Sequence, residues 1–281
     1  MKPARSYLFV PAKKRKMMEK AVSTAADCVI FDLEDAVAYS EKEEARSLVQ
    51  ELLPVLADRK PIFVRMNDVS TPYWREDVAS SVKGGAQGIV VPKAERKDGV
   101  QQVCDFIREV AENDAQANCE VIPLVESAKG VQFCYDIASA DPLVSRIAFG
   151  SIDFSFDVGC ELSEGGEELL FARSSIVIAS RAAEIGPPID AVYPNLQNNE
   201  GLRDETNAAK RLGFKGKLII HPKQLDTVHE VFSPGVNELR EAEQIVQAFE
   251  DAERKGLASI SVNGRLVDYP VYKKAKERLD S

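Results

Sequence analysis

Eight short apolar runs recur along the chain, each separated from the next by a longer stretch of mixed polarity. They are SYLFV (6–10), CVIFD (28–32), IFVRM (62–66), GIVVP (88–92), VIPLVE (121–126), RIAFG (146–150), IDAVY (189–193) and KLIIH (217–221). Each has the length of a strand, and most are rich in β-branched or aromatic residues. Near-continuous apolarity is what parallel strands covered on both faces require. The intervening segments 15–25, 43–56, 98–113, 129–140, 169–186 and 201–214 carry helical periodicity. Gly186 and Gly213 stand where helix C-caps are expected. Strand and helix alternating through eight repeats predict an α/β fold, a TIM (β/α)8 barrel. An open doubly wound sheet is the main rival, but no GxGxxG or GxxxxGK[ST] follows any run.

The barrel is expected over residues 1–235. Residues 236–281 read as a C-terminal extension: a long amphipathic helix, a hairpin and a short charged helix. Asn263-Gly264 between alternating apolar residues is a type I′ hairpin signal. Barrel closure does not need this segment, so it is expected to act as a lid on the barrel or on a neighbouring subunit.

Composition narrows the chemistry. The 281 residues carry a formal charge of -9 with no long basic run, which argues against nucleic acid or an anionic membrane as partner. The opening MKPARSYLFVPAKKRK has too short an apolar run for a signal peptide, and no stretch reaches about 18 apolar residues, so a cytoplasmic protein is expected. Five cysteines without a CxxC pair, and only two histidines, disfavour a zinc site and suggest buried thiols. Catalysis must then come from carboxylates, Arg, Lys or a metal with oxygen ligands.

In such barrels the active site lies at the C-terminal ends of the strands. Those ends carry Asp32, Glu34 and Asp35 at run two, Arg65 and Asn67 at run three, and Lys93 at run four. Glu126-Ser127 stands at the end of run five, Ser151 and Asp153 at run six, Tyr193 and Asn195 at run seven, and His221 at run eight. Glu126 directly follows PLV and is expected to be buried and in need of a partner. Glu126 and Asp153 on adjacent strands, with no histidine near, suit a hard cation such as Mg²⁺. An internal Glu126–Arg65 ion pair is the alternative, and the two can coexist. Asp32 and Glu34 read as supporting groups that position Arg65 or cap the next helix.

The segments RSYLFVPA (5–12), FDLEDAV (31–37), VRMN (64–67), VPKAE (91–95), PLVESAKG (123–130), FGSIDFSFDVG (149–159) and IIHPKQ (219–224) resemble the citrate lyase β-subunit family, within the malyl-CoA lyase and HpcH/HpaI aldolase group. The resemblance runs from residue 5 to about 272. It implies a homotrimer or homohexamer, Mg²⁺ on Glu126 and Asp153, and substrate contact from Arg65. It also implies coenzyme A phosphates near Arg5, Arg15 and Lys20, although Lys13 to Lys16 read equally well as a solvated helical turn. GRLVDYP (264–270) looks like the lid motif of CoA-thioester lyases, which makes Asp268 an acid/base candidate reaching a neighbouring subunit; the alternative is a plain turn residue. The implied reaction is reversible Claisen-type cleavage of a 3-hydroxyacyl-CoA such as malyl-CoA or citramalyl-CoA to acetyl-CoA and a 2-oxo acid. Arg65 would stabilise the enolate, and main-chain N–H groups near Gly150 and Ser151 would hold a carboxylate. A citryl-thioester lyase subunit, a CoA-independent 2-oxo acid aldolase and a non-enzymatic sensor remain as alternatives.

Overall fold

The computed structural model describes residues 4–111 and 119–280. Eight parallel strands close into a barrel in sequence order. They are β1 (Ser6–Pro11), β2 (Cys28–Asp32), β3 (Ile62–Arg65), β4 (Gly88–Val91), β5 (Glu120–Val125), β6 (Ala148–Phe149), β7 (Ile189–Asp190) and β8 (Gly216–Ile219). β8 pairs back onto β1 through Tyr7 and Leu218, so no open edge remains.

Helices follow every strand. They are α1 (Arg15–Val22), α2 (Lys42–Leu56), α3 (Trp74–Lys83), α4 (Lys97–Ala111), α5 (Ala128–Gln132), α6 (Cys134–Ala138), α7 (Ser151–Val158), α8 (Leu170–Ala182), α9 (Asn199–Leu212) and α10 (Leu225–Phe232). The last two residues of the helix expected over 98–113 lie outside the described residues. The helix expected over 129–140 is instead two, because Phe133 leaves helical geometry at φ -107°, ψ 20°. The Gly186 C-cap is also corrected: α8 ends at Ala182, and Glu184 takes the left-handed conformation at φ 58°. Gly213 does cap α9, at φ 120°.

The barrel interior is packed by Tyr7, Cys28, Ile30, Phe63, Val90, Ile122, Leu124, Ala148, Ile189 and Leu218. Side chains alternate along a strand. Two residues beyond Ile30, Phe63 and Leu124 therefore come Asp32, Arg65 and Glu126, on the same inward face at the C-terminal mouth. The opposite face of the strands meets the helices, and there β7 and β8 bury charge. Lys217 donates to Asp190 Oδ2 at 2.6 Å and Glu205 Oε1 at 2.7 Å, while Arg173 Nε donates to Asp190 Oδ1 at 2.8 Å.

The chain divides into two compact units, with residues 4–229 in one and the chain from Glu230 onward in the other. The second unit holds α11 (Val236–Glu253), strands β9 (Ser259–Val262) and β10 (Arg265–Asp268), and α12 (Tyr269–Asp280). Asn263 and Gly264 take φ 50° and 77°, the positive angles of the expected type I′ turn. Phe249 of α11 stacks on Tyr272 at 4.9 Å and meets Tyr269 edge-on at 5.1 Å. Among the described residues, no helix is long and apolar enough to cross a membrane.

Candidate active site

Asp32 and Arg65 end neighbouring strands and are register partners. Arg65 Nε donates to Asp32 Oδ1 at 2.8 Å and Nη2 donates to Oδ2 at 2.7 Å, a two-point fork. Its Nη1 lies 3.0 Å from Glu34 Oε2 and 3.3 Å from Asp35 Oδ2. The guanidinium rests on the Phe9 ring, 4.9 Å from its centroid. Burial works to lower the Arg65 pKa, but Asp32, Glu34 and Asp35 outweigh it and hold the value above normal. Arg65 is therefore a fixed positive charge at the barrel mouth.

The acidic turn after β2 is tightly specified. Asp32 accepts hydrogen bonds from Glu34 N at 2.9 Å and Ala36 N at 3.3 Å. The buried Lys42 Nζ donates to the carbonyls of Leu33 at 2.7 Å and Glu34 at 2.6 Å. Glu34 Oε1 takes the Lys93 ammonium at 2.7 Å. Burial raises the Glu34 pKa, with Arg65 and Lys93 opposing.

Glu126 is 5% exposed. Its Oε1 accepts from the main-chain N–H of Lys93 at 2.7 Å, and no Lys or Arg side chain among the described residues pairs with it. The Glu126 side chain lies against Gly150, where a β-carbon would come within 2.7 Å of Glu126 Cβ and Oε2. Burial above all pushes the Glu126 carboxyl up to about 8. Lys93 N–H and Arg65 pull it back, while Asp153 and Glu34 push it further up. Asp153 stands exposed in the first turn of α7, close enough for its charge to act on Glu126. Ser151, buried, opens the same helix, whose first-turn N–H groups point toward any anion placed there.

One rim thus gathers Asp32, Glu34, Asp35, Glu126 and Asp153 around Arg65 and Lys93. Carboxylates outnumber cations, so the rim favours a multivalent cation. Among the described residues no three His, Cys, Asp or Glu side chains form a closed metal cage. Glu126 and Asp153 suffice for Mg²⁺, which takes one or two carboxylates and completes its shell with water or substrate oxygens. The donor set fits that ion.

Other expected positions serve differently. Arg15 is exposed on α1, with Nη1 3.8 Å from Glu19 and Nη2 paired with Glu51. Lys20 is exposed in the last turn of α1. A groove of about 450 Å³ is lined by Lys13, Lys14, Glu41 and Arg15's partner Glu51. Asn67 turns its amide onto the buried Asp77 at 2.7 Å. Tyr193 accepts from Gln224 Nε2 through its carbonyl, tying the segments after β7 and β8 together, and His221 Nδ1 accepts from Lys223 N to close a turn. Asp268 belongs to the C-terminal unit, where its Oδ1 accepts from Val271 N at 3.2 Å as the cap of α12. Lys42 and Lys93 were not singled out by sequence reasoning; only Lys93's place at a strand end marked it.

Fold and rim together define a class: β/α-barrel enzymes that work with carboxylates and an arginine at the strand ends. The family described as HpcH/HpaI aldolase/citrate lyase matches residues 5–222. Citrate lyase subunit beta of Leuconostoc mesenteroides subsp. cremoris is 35% identical over 275 residues, covering 97% of this chain and 91% of that protein. A (3S)-malyl-CoA thioesterase of Cereibacter sphaeroides is 35% identical over 268 residues, covering 95% and 90%. CitE of Mycobacterium tuberculosis, solved with magnesium, acetoacetate and coenzyme A, superposes with a TM-score of 0.81 at 29% identity, covering 100% of this chain and 98% of that one. The chain belongs to the HpcH/HpaI aldolase/citrate lyase family, and it is a carbon–carbon lyase.

Proposed function

We propose that the chain is a Mg²⁺-dependent lyase of 3-hydroxyacyl-CoA thioesters bearing a carboxylate on the hydroxyl carbon, such as malyl-CoA or citramalyl-CoA. Cleavage yields acetyl-CoA and a 2-oxo acid, and the reverse reaction forms the same bond. The observation that carries this reading is Glu126: a buried carboxylate with no pairing side-chain cation, beside Asp153 and within the field of Arg65.

In the cleavage direction the substrate hydroxyl gives its proton to solvent water and the bond between the hydroxyl carbon and the thioester α-carbon breaks. Its electron pair moves into a thioester enolate, which is then protonated at carbon. Glu126 and Asp153 would hold Mg²⁺, which when bound would supply Lewis acidity to the substrate oxygens. Arg65 places fixed positive charge where the enolate oxygen develops; Asp32 engages one N–H each of Nε and Nη2, leaving a second Nη2 N–H to donate. The open N–H groups at Ser151 orient the substrate carboxylate. Asp268 is the proposed proton carrier at the acetyl carbon, delivered by a neighbouring subunit of a homotrimer or homohexamer. Arg15 and Lys20 are the proposed contacts for the coenzyme A phosphates.

A second reading is favoured by the thioesterase relative: the same rim could release free malate and coenzyme A. One experiment separates the two. With Mg²⁺, the protein is incubated either with malyl-CoA alone or with acetyl-CoA and a panel of 2-oxo acids, and new thioesters, free malate and free coenzyme A are sought by mass. A 3-hydroxyacyl-CoA from glyoxylate or pyruvate supports the proposal. Hydrolysis of malyl-CoA without any condensation would replace it with the thioesterase reading.

A further inference from the structure

We infer that Lys93 is a positioning residue that ties the Glu126 carboxylate to the Arg65 network and sets how Arg65 meets the substrate. The inference rests on the roles of Glu126 and Arg65 proposed above. It starts from the backbone. Lys93 has φ 50°, the left-handed region that a residue with a β-carbon adopts at a cost. Glycine would occupy this position without that cost. A lysine there points to work for the side chain as well as the main chain.

Both are engaged, on carboxylates from different strand ends. The main-chain N–H reaches Glu126 Oε1 and the ammonium reaches Glu34 Oε1, each at 2.7 Å. Glu34 in turn presents its other oxygen to Arg65 Nη1 at 3.0 Å. Without the Lys93 ammonium, the Glu34 carboxylate would be free to close fully on Nη1. The guanidinium, already paired with Asp32, Glu34 and Asp35, would then be drawn further toward the turn after β2, which turns its remaining Nη2 N–H away from the enolate oxygen. Lys93 keeps Glu34 drawn toward β4, and the main-chain half of the residue holds Glu126 independently. Half-exposed, Lys93 also lines a groove of about 380 Å³ with Asp68, Arg96 and Lys129.

The two halves separate by substitution. Lys93→Gly and Lys93→Ala both remove the ammonium and keep the N–H, but only Gly relieves the backbone. Lys93→Arg keeps a cation. Condensation kinetics, Mn²⁺ affinity by calorimetry and melting temperature are measured on the full-length protein. Both neutral variants are expected to lose about 10- to 100-fold in kcat with little change in KM or Mn²⁺ affinity. The Gly variant should melt no lower than the Ala variant, and Arg should recover most of the rate. Parental kcat in both neutral variants would overturn the inference. So would a rate loss matched by an equal loss of Mn²⁺ affinity, or a loss that simply tracks melting temperature. Arg65→Lys and Glu126→Gln serve as references: if they retain activity, the underlying reaction assignment has failed rather than the role of Lys93.

Discussion

At the scale of single residues, the site depends on side chains placed by strand alternation and held by their neighbours. Glu126 occupies its position because Gly150 leaves room; a β-carbon there would meet Glu126 Cβ and Oε2 at 2.7 Å. Gly150→Ala should therefore displace the carboxylate while leaving the barrel folded. Activity is expected to fall about 100-fold, as for an ångström-scale misplacement, with a melting temperature within a few degrees of the parent. Full activity would show that the carboxylate need not lie over β6. Arg65 cannot be tested fairly by truncation, since removing it strands Asp32 and Glu34 as buried charges at a cost of about 3–5 kcal/mol. Arg65→Lys keeps the charge but loses the two-point fork on Asp32. It should lower kcat as well as raise KM; a change confined to KM would remove the enolate role.

At the scale of elements, the strand ends were legible because they obey two simple periods. Alternation of two places Asp32, Arg65 and Glu126 on the inward face, and the strand–helix repeat places that face at one rim. Other features were not legible. Nothing in the letters VPK shows that Lys93 takes a positive φ, since that conformation is normally signalled by Gly or Asn. Lys217 interrupts no strand pattern visibly, yet it is fully buried on Asp190. Glu184 rather than Gly186 turns left-handed because the chain must leave α8 early, with Gly186 N bonded to the Ser145 carbonyl. At the opposite end of the barrel, His229 joins α10 to β1. Its Nε2 lies 2.7 Å from Ser6 Oγ and 3.7 Å from Asp27 Oδ1. Burial lowers its pKa first, with Arg5 and Lys60 adding and Asp27 and Asp226 opposing. The unfolded histidine titrates at about 6.5, so between that value and the lower folded one the unfolded chain binds more protons. Stability from His229 is thus complete above about pH 6.5 and declines as pH falls through the folded value. Urea midpoints at pH 7 and pH 5 should drop more for the parent than for His229→Gln. Equal drops would contradict this assignment.

At the scale of the whole molecule, the barrel carries the rim of Glu126, Asp153 and Arg65, and the second unit carries Asp268. The alternation of runs was enough to predict the barrel, and the motif resemblance was enough to predict the family. The relation between the two units is not written in either, because a hairpin and two helices can cover their own barrel or another copy's. Complementation answers that directly: Asp268→Ala mixed with Arg65→Lys should recover part of the parental rate if Asp268 acts across subunits. No recovery would place its action within one chain or outside catalysis. The claim on which everything else rests is that Glu126 and Asp153 share one divalent cation. Calorimetric titration of Mn²⁺ into the parent, Glu126→Gln and Asp153→Asn proteins tests it. The account predicts one site per chain in the parent and at least a tenfold loss of affinity in each variant, with all three proteins folded. Unchanged binding in both variants would contradict it.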